Sequence, residues 1–471
     1  MARPNILFLI ADDHQHDAIG AFGNEVVQTP NLDGLANAGT AMTNTHIMGS
    51  TSPAVCLPSR AMLLSGSNLF DVFSSKRHNP VDMGNAYGAD RYHIDGRYKL
   101  FPELLAQAGY TTYGIGKWHN TIDEYARAFT NGGSIFFGGM SDHDGVPVHQ
   151  FEPMGSYEGI QATSGKFFSS TLFVDTALDL LRSHPTADPF CMYIAFTEPH
   201  DPRTPPAEFA SMYADTDIPL PENFLPDHPF DNGELHVRDE ELAPHPRTAD
   251  VIRQHIADYY GMISKLDSEI GRLLHALEEL NLADDTIVVY VADHGLALGQ
   301  HGLLGKQNLY SHSVRVPMIL RGPGIPKAKR YDELCYLHDM YATLLDYTGV
   351  GVPSTTDSIS LLPLINGETS EHRSSIFSAY QMDHFVSLDG PYQRMVRDER
   401  FKLIKYRVEG DTRYQLFDLA HDPLEMHDLA SDENYVVELI ELKKCLNEWQ
   451  RRANDPVISV DTSQNVDSGE K

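Results

Sequence analysis

The chain has 471 residues, enough to bury a large core and to form two domains, or one large domain with an appendage. Its net charge of −30, from 36 basic and 66 acidic residues, argues against nucleic acids and anionic membrane surfaces as partners. Hydrophobic residues make up an ordinary 41%, and no apolar run approaches the roughly 18 residues that a membrane-spanning helix needs.

The chain has four cysteines with no paired spacing, namely Cys56, Cys191, Cys335 and Cys445. This pattern predicts neither a disulfide framework nor a zinc site. At the N-terminus an apolar strand follows the first four residues directly, with no signal peptide ahead of it. We therefore expect a cytoplasmic protein, with a periplasmic or secreted mature form as the alternative.

The first predicted strand is the apolar run of residues 5–10, and two carboxylates, Asp12 and Asp13, follow it directly. Open α/β sheets bind their ligands at the carboxyl ends of such strands. Two adjacent carboxylates repel each other there, and a hard cation such as Ca²⁺ would relieve the repulsion through oxygen ligands. The alternative is a solvated turn.

A cysteine-containing helix is predicted next, because residues 52–66 read SPAVCLPSRAMLLSG. Pro58 fits the first turn, where its missing N–H costs nothing. Cys56 would then lie at the helix N-terminus, where unpaired N–H groups and the helix dipole favour negative charge. Arg60, four residues on, would lie on the same face. The alternative is a buried cysteine before an ordinary helix.

Two further strands are predicted to end in basic or histidine side chains. Residues 111–115 lead to Lys117 and His119, which would point to the same side if the chain stays extended. The strand at 189–196 leads to His200, in a loop that flanking prolines make rigid. Taken alone, these would be a surface lysine, a structural histidine and a turn histidine.

A fourth apolar strand, residues 286–292, ends in Asp293 and His294. In a parallel sheet these two side chains would complete a set with Asp12 and Asp13 at one edge. The sequence therefore places three carboxylates and a histidine at strand ends.

The segments between these strands are predicted as helices and loops. Residues 167–182 and 248–281 have the apolar periodicity of amphipathic helices. Residues 202–247, rich in Pro, Asp and His, predict a long irregular loop over the sheet, of the kind that serves as a lid or linker. A glycine-rich loop that ends at Asp142 and His143 is a place where specificity could reside.

The sequence pattern changes after residue 367, which divides a catalytic domain (1–367) from a smaller C-terminal α+β subdomain (368–471). Short strand-like runs followed by a helix predict a small antiparallel sheet backed by that helix. These elements are strands at 375–380, 393–397, 401–406 and 414–418, and a helix at 435–452.

Six of these elements, in the same order, resemble the type I sulfatase family, the formylglycine-dependent members of the alkaline-phosphatase-like superfamily. CLPSR at 56–60, followed by LSG at 64–66, is similar to the signature whose cysteine is oxidised to formylglycine; the family more often has Thr at the place of Ser65. GKWH at 116–119 is similar to a second family motif. The resemblance implies an α/β fold with a large, mostly parallel sheet sandwiched by helices, plus the small C-terminal antiparallel sheet with its helix.

The resemblance also implies the site and its partners. The implied metal ligands are Asp12, Asp13, the modified Cys56, Asp293 and His294, with Ca²⁺ rather than Mg²⁺ as the ion; many members carry Asn at the place of His294. The implied sulfate contacts are Arg60, Lys117 and Lys306, and the implied proton-transfer residues are His119 and His200. A formylglycine-generating enzyme is the implied maturation partner. Further substrate contacts are predicted for His312, Arg203, Asp142, His143, His384 and Arg394.

The implied reaction is the hydrolysis of a sulfate monoester, most commonly of a sulfated carbohydrate. In hydrated formylglycine one hydroxyl attacks sulfur, and the other expels sulfate by re-forming the aldehyde. We expect Asp293 and the metal to activate the first hydroxyl, His119 to deprotonate the second, and His200 with Lys306 to protonate the leaving alcohol. Two alternatives are a phosphate or phosphonate monoester hydrolase on the same fold, and a catalytically silent protein that binds sulfated glycans.

Overall fold

The computed structural model describes residues 3–74, 92–157, 162–164, 166–185, 188–214, 216–382 and 390–458. Its strands in chain order are β1 (Asn5–Ala11), β2 (Thr40–His46), β3 (Gly49–Ser50), β4 (Thr111–Lys117), β5 (Asn131–Phe136), β6 (Pro147–Val148), β7 (Thr163–Ser164), β8 (Phe190–Ala195), β9 (Thr286–Ala292), β10 (Arg315–Arg321), β11 (Lys329–Tyr331), β12 (Cys335–Tyr336), β13 (Ile376–Gln381), β14 (Tyr392–Arg397), β15 (Phe401–Val408) and β16 (Asp411–Asp418). Its α-helices are α1 (Pro30–Ala38), α2 (Cys56–Ser65), α3 (Phe101–Gln107), α4 (Ile122–Ala128), α5 (Ser169–Ser183), α6 (Ala207–Ser211), α7 (Ala249–Glu279), α8 (Ser311–Val314), α9 (Asp339–Tyr347), α10 (Leu362–Ile365) and α11 (Val436–Arg452).

The large sheet has the strand order β11-β2-β10-β9-β1-β8-β4-β5, and β12 also pairs with β2. Strands β9, β1, β8, β4 and β5 run parallel to one another, whereas β10 is antiparallel to both of its neighbours. Strands β1, β8 and β9 are buried along their whole length, as expected of parallel strands that are covered on both faces. The expected α/β class with a mostly parallel sheet is confirmed.

Helices that pack on the sheet form two groups. The long helix α7 contacts α1, α5 and α6, while α3 contacts α2, α4 and α9. Helix α7 has an apolar stripe at helical spacing, which places Leu266, Ile270 and Leu273 in the core. None of the helices in the described ranges has the length and apolarity needed to cross a bilayer.

A second sheet of five strands, in the order β16-β15-β14-β13-β3, forms the C-terminal part of the structure. Strands β13 to β16 are antiparallel, and α11 packs against β14 and β15, as predicted. The fifth strand, β3, was not predicted; it comes from the N-terminal part and pairs in parallel with β13, with Gly49 opposite Ala379 and Ser50 opposite Tyr380. The domain boundary at residue 367 stays a prediction, and this sheet joins the two sides of it.

The long segment at 202–247 is mostly irregular, as predicted. It contains the short helix α6 and a turn of 3₁₀-helix at Glu240–Leu242. Among its side chains, Val237, Arg238 and Asp239 line a concave pocket that residues following the strands, such as His119 and His200, also line.

Candidate active site

The predicted site residues come together because four neighbouring parallel strands end at one edge of the large sheet. Asp12 and Asp13 follow β1, and Asp293 and His294 follow β9. Lys117 is the last residue of β4, and the segment after β8 carries His200. The carboxyl edge of a parallel sheet is where this class of fold binds ligands.

Three buried ion pairs form the floor of the site. Lys117 Nζ donates to Asp12 Oδ2, Arg60 Nε donates to Asp293 Oδ2 at 2.8 Å, and Lys306 Nζ donates to Asp13 Oδ1 at 2.8 Å. All six side chains are buried. Burial acts to raise the pKa of Asp12, but Lys117 and the other nearby cations outweigh it and hold that pKa well below its ordinary value. Asp12 is therefore held in its ionised form beside Lys117.

Cys56 is the first residue of α2, as the sequence predicts, and its side chain is buried. Its Sγ lies 3.0 Å from His119 Nδ1. Burial acts to raise the pKa of the thiol, but His119 and Lys117 lower it well below the usual value. The helix is capped by Gly66, a left-handed residue (φ 67°) whose N–H donates to Met62 O. Cys56 thus lies where a nucleophile with negative charge is stabilised.

The carboxylates, the thiol and one imidazole fit a divalent cation. Single ligand atoms of Asp12, Cys56, Asp293 and His294 all lie within 4.8 Å of one another. Two of the atoms in this cluster, Asp12 Oδ1 and His294 Nε2, are buried without a hydrogen-bond partner in the described part of the chain. His294 Nε2 is 3.1 Å from Asp13 Oδ1 and 3.6 Å from Asp293 Oδ1. Three carboxylates around one point form an oxygen-rich set that suits Ca²⁺ or Mg²⁺.

The pKa shifts in this cluster also favour a bound cation. Burial acts to lower the pKa of His294, but the negative charges of Asp293 and Asp13 outweigh burial and raise this pKa from 6.5 to about 9. Burial and the neighbouring Asp12 raise the pKa of Asp293. The cluster therefore attracts positive charge at its centre, which is what a metal ion supplies.

A pocket of about 200 Å³ opens above these residues. Four of the predicted catalytic residues lie on its wall: Cys56, His119, His200 and Lys306. His200 is held by its own loop, with Nδ1 2.7 Å from Asp201 O, and its Nε2 lies 3.9 Å from Asp13 Oδ2. The rest of the wall consists of Pro53, Ala54, Gly139, Met140, Val237, Arg238, Asp239, Gln307, Tyr380 and Met382.

The residues predicted to contact substrate are placed less uniformly. Asp142 is exposed, whereas His143 is buried, and its Nε2 lies 3.0 Å from His200 O, so that His143 supports the His200 loop. Arg203 bonds to His255 at 3.1 Å. None of these three lies on the pocket wall.

The remaining candidates have other surroundings. His312 is half-buried beside Tyr310, with their ring centroids 5.7 Å apart, and is not a wall residue. Arg394 is enclosed in an ion pair with Asp455 at 2.6 Å. His384 lies outside the described residues. Substrate contact by these three side chains stays a prediction.

Sequence reasoning missed four polar residues of the wall, namely Arg238, Asp239, Gln307 and Tyr380. Arg238 and Asp239 lie in the irregular segment at 202–247, which carries no motif. Tyr380 belongs to β13, which reaches the pocket through the β3–β13 pairing. Gln307 is the one residue with a local signal, since it directly follows Lys306.

Comparisons with known proteins agree with this geometry. The Sulfatase family model matches residues 4–350, and the model "N-sulphoglucosamine sulphohydrolase, C-terminal" matches residues 299–452. The N-acetylglucosamine-6-O-sulfatase of Bacteroides thetaiotaomicron is 28% identical over 96% of this chain and 88% of that protein. An arylsulfatase of Clostridium perfringens is 28% identical over 94% of each.

Solved structures support the fold as well. One, of a protein in complex with its substrate D-glucosamine-2-N,6-O-disulfate, has a TM-score of 0.76 and 26% identity, covering 96% of this chain and 98% of that one. The phosphonate monoester hydrolase of Agrobacterium radiobacter shares the fold at a TM-score of 0.73 and 20% identity, covering 96% of both chains. With a family model that matches most of its length, the chain belongs to the sulfatase family, the sulfuric ester hydrolases with an alkaline-phosphatase-like fold.

Proposed function

We propose that the protein removes sulfate from a sulfated carbohydrate, using formylglycine made from Cys56 and a bound Ca²⁺. The observation that carries this proposal is the position of Cys56, which ends in the pocket, 3.0 Å from His119 and within 4.8 Å of the carboxylate cluster. The carbohydrate is supported by the names of relatives, an N-acetylglucosamine-6-O-sulfatase and a glucosamine disulfate complex.

The sulfate group would be held by positive charge that is fixed in advance. Arg60, Lys117 and Lys306 converge on the carboxylates below Cys56, and all three are buried. Cations that are already oriented stabilise developing negative charge without reorganisation. Their local positive charge also offsets the protein's net charge of −30, which would otherwise repel an anionic substrate. A Ca²⁺ ion held by Asp12, Asp13, Asp293 and His294 would add positive charge at the same place.

Two histidines are placed for proton transfer. His119 Nδ1 is within hydrogen-bond distance of the side chain at position 56, so it can accept a proton from a hydroxyl there. Hydrated formylglycine would carry two hydroxyls: the one that attacks sulfur would be activated by Asp293, and the second, whose proton His119 would accept, would expel sulfate. His200 lies on the pocket wall with Lys306, where it can donate a proton to the leaving alcohol.

The test combines a mass measurement with a substrate panel. The protein is co-expressed with a formylglycine-generating enzyme, and the peptide carrying Cys56 is analysed by mass spectrometry. We expect the aldehyde in place of the thiol, and turnover of N-acetylglucosamine 6-sulfate that the Cys56→Ala variant lacks. Cys445→Ser is the matched control, because Cys445 is far along the chain in α11 and is expected to leave activity intact.

Four results would contradict the proposal. An unmodified thiol under these conditions, or substantial activity in Cys56→Ala, would exclude the formylglycine mechanism. Faster turnover of phosphate or phosphonate monoesters than of any sulfate ester would favour the alternative hydrolase. Binding of sulfated sugars without turnover would favour the silent binding protein.

A further inference from the structure

Arg238, on the pocket wall, is held in one orientation by two carboxylates. Its Nε donates to Asp239 Oδ1 at 2.9 Å, and its Nη2 donates to Asp201 Oδ1 at 2.6 Å. Asp239 is fixed in turn, because its Oδ2 accepts from Gln307 Nε2 at 2.8 Å. Both carboxylates are about 10% exposed, so the Arg238 guanidinium is held by two buried partners.

One end of this guanidinium faces no oxygen acceptor in the described structure. Nη1 contacts only the sulfur of Met140, and a thioether is a weak hydrogen-bond acceptor. The Arg238 side chain is 40% exposed and lies on the wall of the pocket. An oxygen atom of a bound ligand would therefore be a better partner for Nη1 than the sulfur it touches now.

The charges around Arg238 indicate whether the ligand oxygen at Nη1 is charged or neutral. The single positive charge of Arg238 is already offset by Asp201 and Asp239. A second sulfate or carboxylate of the substrate, placed at Nη1, would lie close to these two carboxylates. Their repulsion would offset much of its attraction to Arg238. A neutral hydroxyl or amide oxygen accepts the same hydrogen bond without that repulsion.

The rest of the wall fits an uncharged sugar ring. Met140, Val237 and Met382 offer an apolar surface for the C–H face of a ring. Tyr380 also lines the pocket, and its hydroxyl is buried with no hydrogen-bond partner in the ranges that the structure describes. It is a second donor that a sugar oxygen could satisfy.

We propose that Arg238 is a specificity-determining residue that donates, through Nη1, to an uncharged oxygen of the leaving sugar, with Tyr380 as a second donor. The site then selects a sugar with a single sulfate, the one that is removed, over a sugar with a second anionic group beside it. This inference rests on the proposed function and names the substrate class within it.

The test compares kcat/KM on three substrates: N-acetylglucosamine 6-sulfate, glucosamine-2-N,6-O-disulfate and 4-nitrophenyl sulfate, whose leaving group has no hydroxyl or amide and offers only the weakly accepting oxygens of its nitro group. For the wild type we expect the monosulfated sugar to be preferred over the disulfate. In Arg238→Met the ratio of kcat/KM for N-acetylglucosamine 6-sulfate over that for 4-nitrophenyl sulfate should fall about 10-fold or more, mostly through KM, because a charged donor is lost.

A second variant keeps the proposal testable if Arg238→Met folds poorly. Tyr380→Phe removes only the hydroxyl, and the same ratio should fall about 3-fold or more. Arg182→Met is the control, because Arg182 is 60% exposed on α5 and should leave the ratio unchanged.

Each outcome is decisive. Equal losses on the sugar and on 4-nitrophenyl sulfate would mean that Arg238 has only a structural role. A larger loss on the disulfate than on the monosulfate would make Arg238 an anion clamp and overturn the preference for an uncharged oxygen. A wild type that cleaves neither these three sulfate esters nor any other sulfated sugar would instead overturn the proposed function itself.

Discussion

Nε of Arg60 lies 2.8 Å from Oδ2 of Asp293, and this ion pair is enclosed completely, with 1% and 0% of the two side chains exposed. Removing one partner leaves a buried charge without compensation. In chelator-treated protein we expect Arg60→Met to lower the free energy of unfolding by about 3–5 kcal/mol, measured by urea denaturation. Arg97→Met is the control, because Arg97 is 51% exposed in its pairs with Asp71 and Asp95, and it should cost less than about 1 kcal/mol. Equal losses in the two variants would contradict the prediction.

Removal of the proposed metal ion should destabilise the protein, because the carboxylates of Asp13 and Asp293, which both lie near His294, would lose its compensating charge. Adding Ca²⁺ to chelator-treated protein should raise the melting temperature, since an ion at 100 times its Kd stabilises the folded state by about 2.7 kcal/mol. Asp293→Asn should weaken this response, whereas Asp227→Asn, at an exposed carboxylate, should retain it. Calorimetry with and without Ca²⁺ measures both. A response to Ca²⁺ that Asp293→Asn leaves unchanged would place the ion elsewhere.

Glu234 should make stability depend on pH. It is buried, and burial together with Asp231 raises its pKa from 4.5 to about 8. Between these two pH values the folded protein keeps a proton that the unfolded chain releases, so stability is present at low pH and is lost as the pH rises through 8. Relative to wild type, Glu234→Gln should gain roughly 3 kcal/mol of stability between pH 5 and pH 9.

Urea denaturation at the two pH values measures this gain. Glu279→Gln is the control, because Glu279 is 61% exposed and should show no such change. A difference between Glu234→Gln and wild type that does not vary with pH would show that Glu234 is ionised in the folded protein throughout this range.

The β3–β13 junction should depend on Gly49. Gly49 has a positive φ of 90°, and a Cβ atom there would lie 2.0 Å from Ala379 O. Gly49→Ala should therefore cost at least about 2 kcal/mol of stability. Gly34→Ala, at an open position within α1, should instead stabilise the protein by about 0.5–1 kcal/mol. Thermal unfolding of both variants should show shifts of opposite sign; a neutral Gly49→Ala would mean that the junction can open without cost.

The parts of the fold that the sequence predicts well are those set by local patterns. The apolar runs at 5–10 and 286–292 became β1 and β9 with bounds within one residue, because a fully buried parallel strand is a continuous hydrophobic segment. The candidate site residues that follow these strands, such as Asp12 and Asp293, could be predicted with them, because the carboxyl ends of the strands in this class of fold meet at one edge of the sheet.

What the sequence could not predict depends on contacts between distant segments. Strand β3 has two residues and no hydrophobic pattern, and only its pairing with β13 makes it a strand. Arg238 is one charged residue in an irregular segment until Asp201 and Asp239 fix it beside the pocket. Arg394 looked available for a ligand, but Asp455, 61 residues away along the chain, encloses it.

The pairing of β3 with β13 also bears on when, during synthesis of the chain, an enzyme could reach Cys56. Strand β3 ends six residues before Cys56, and its partner strand ends at Gln381, about 325 residues later in the chain. At ribosomal rates of about 5–20 residues per second, that stretch takes roughly 16 to 65 s to synthesise. In the folded structure Cys56 is only 2% exposed, and Tyr380 of β13 lines the same pocket. Under the proposed conversion of Cys56 to formylglycine, the modifying enzyme would therefore have its best access before the C-terminal sheet forms, and the rate of translation would set how long that access lasts.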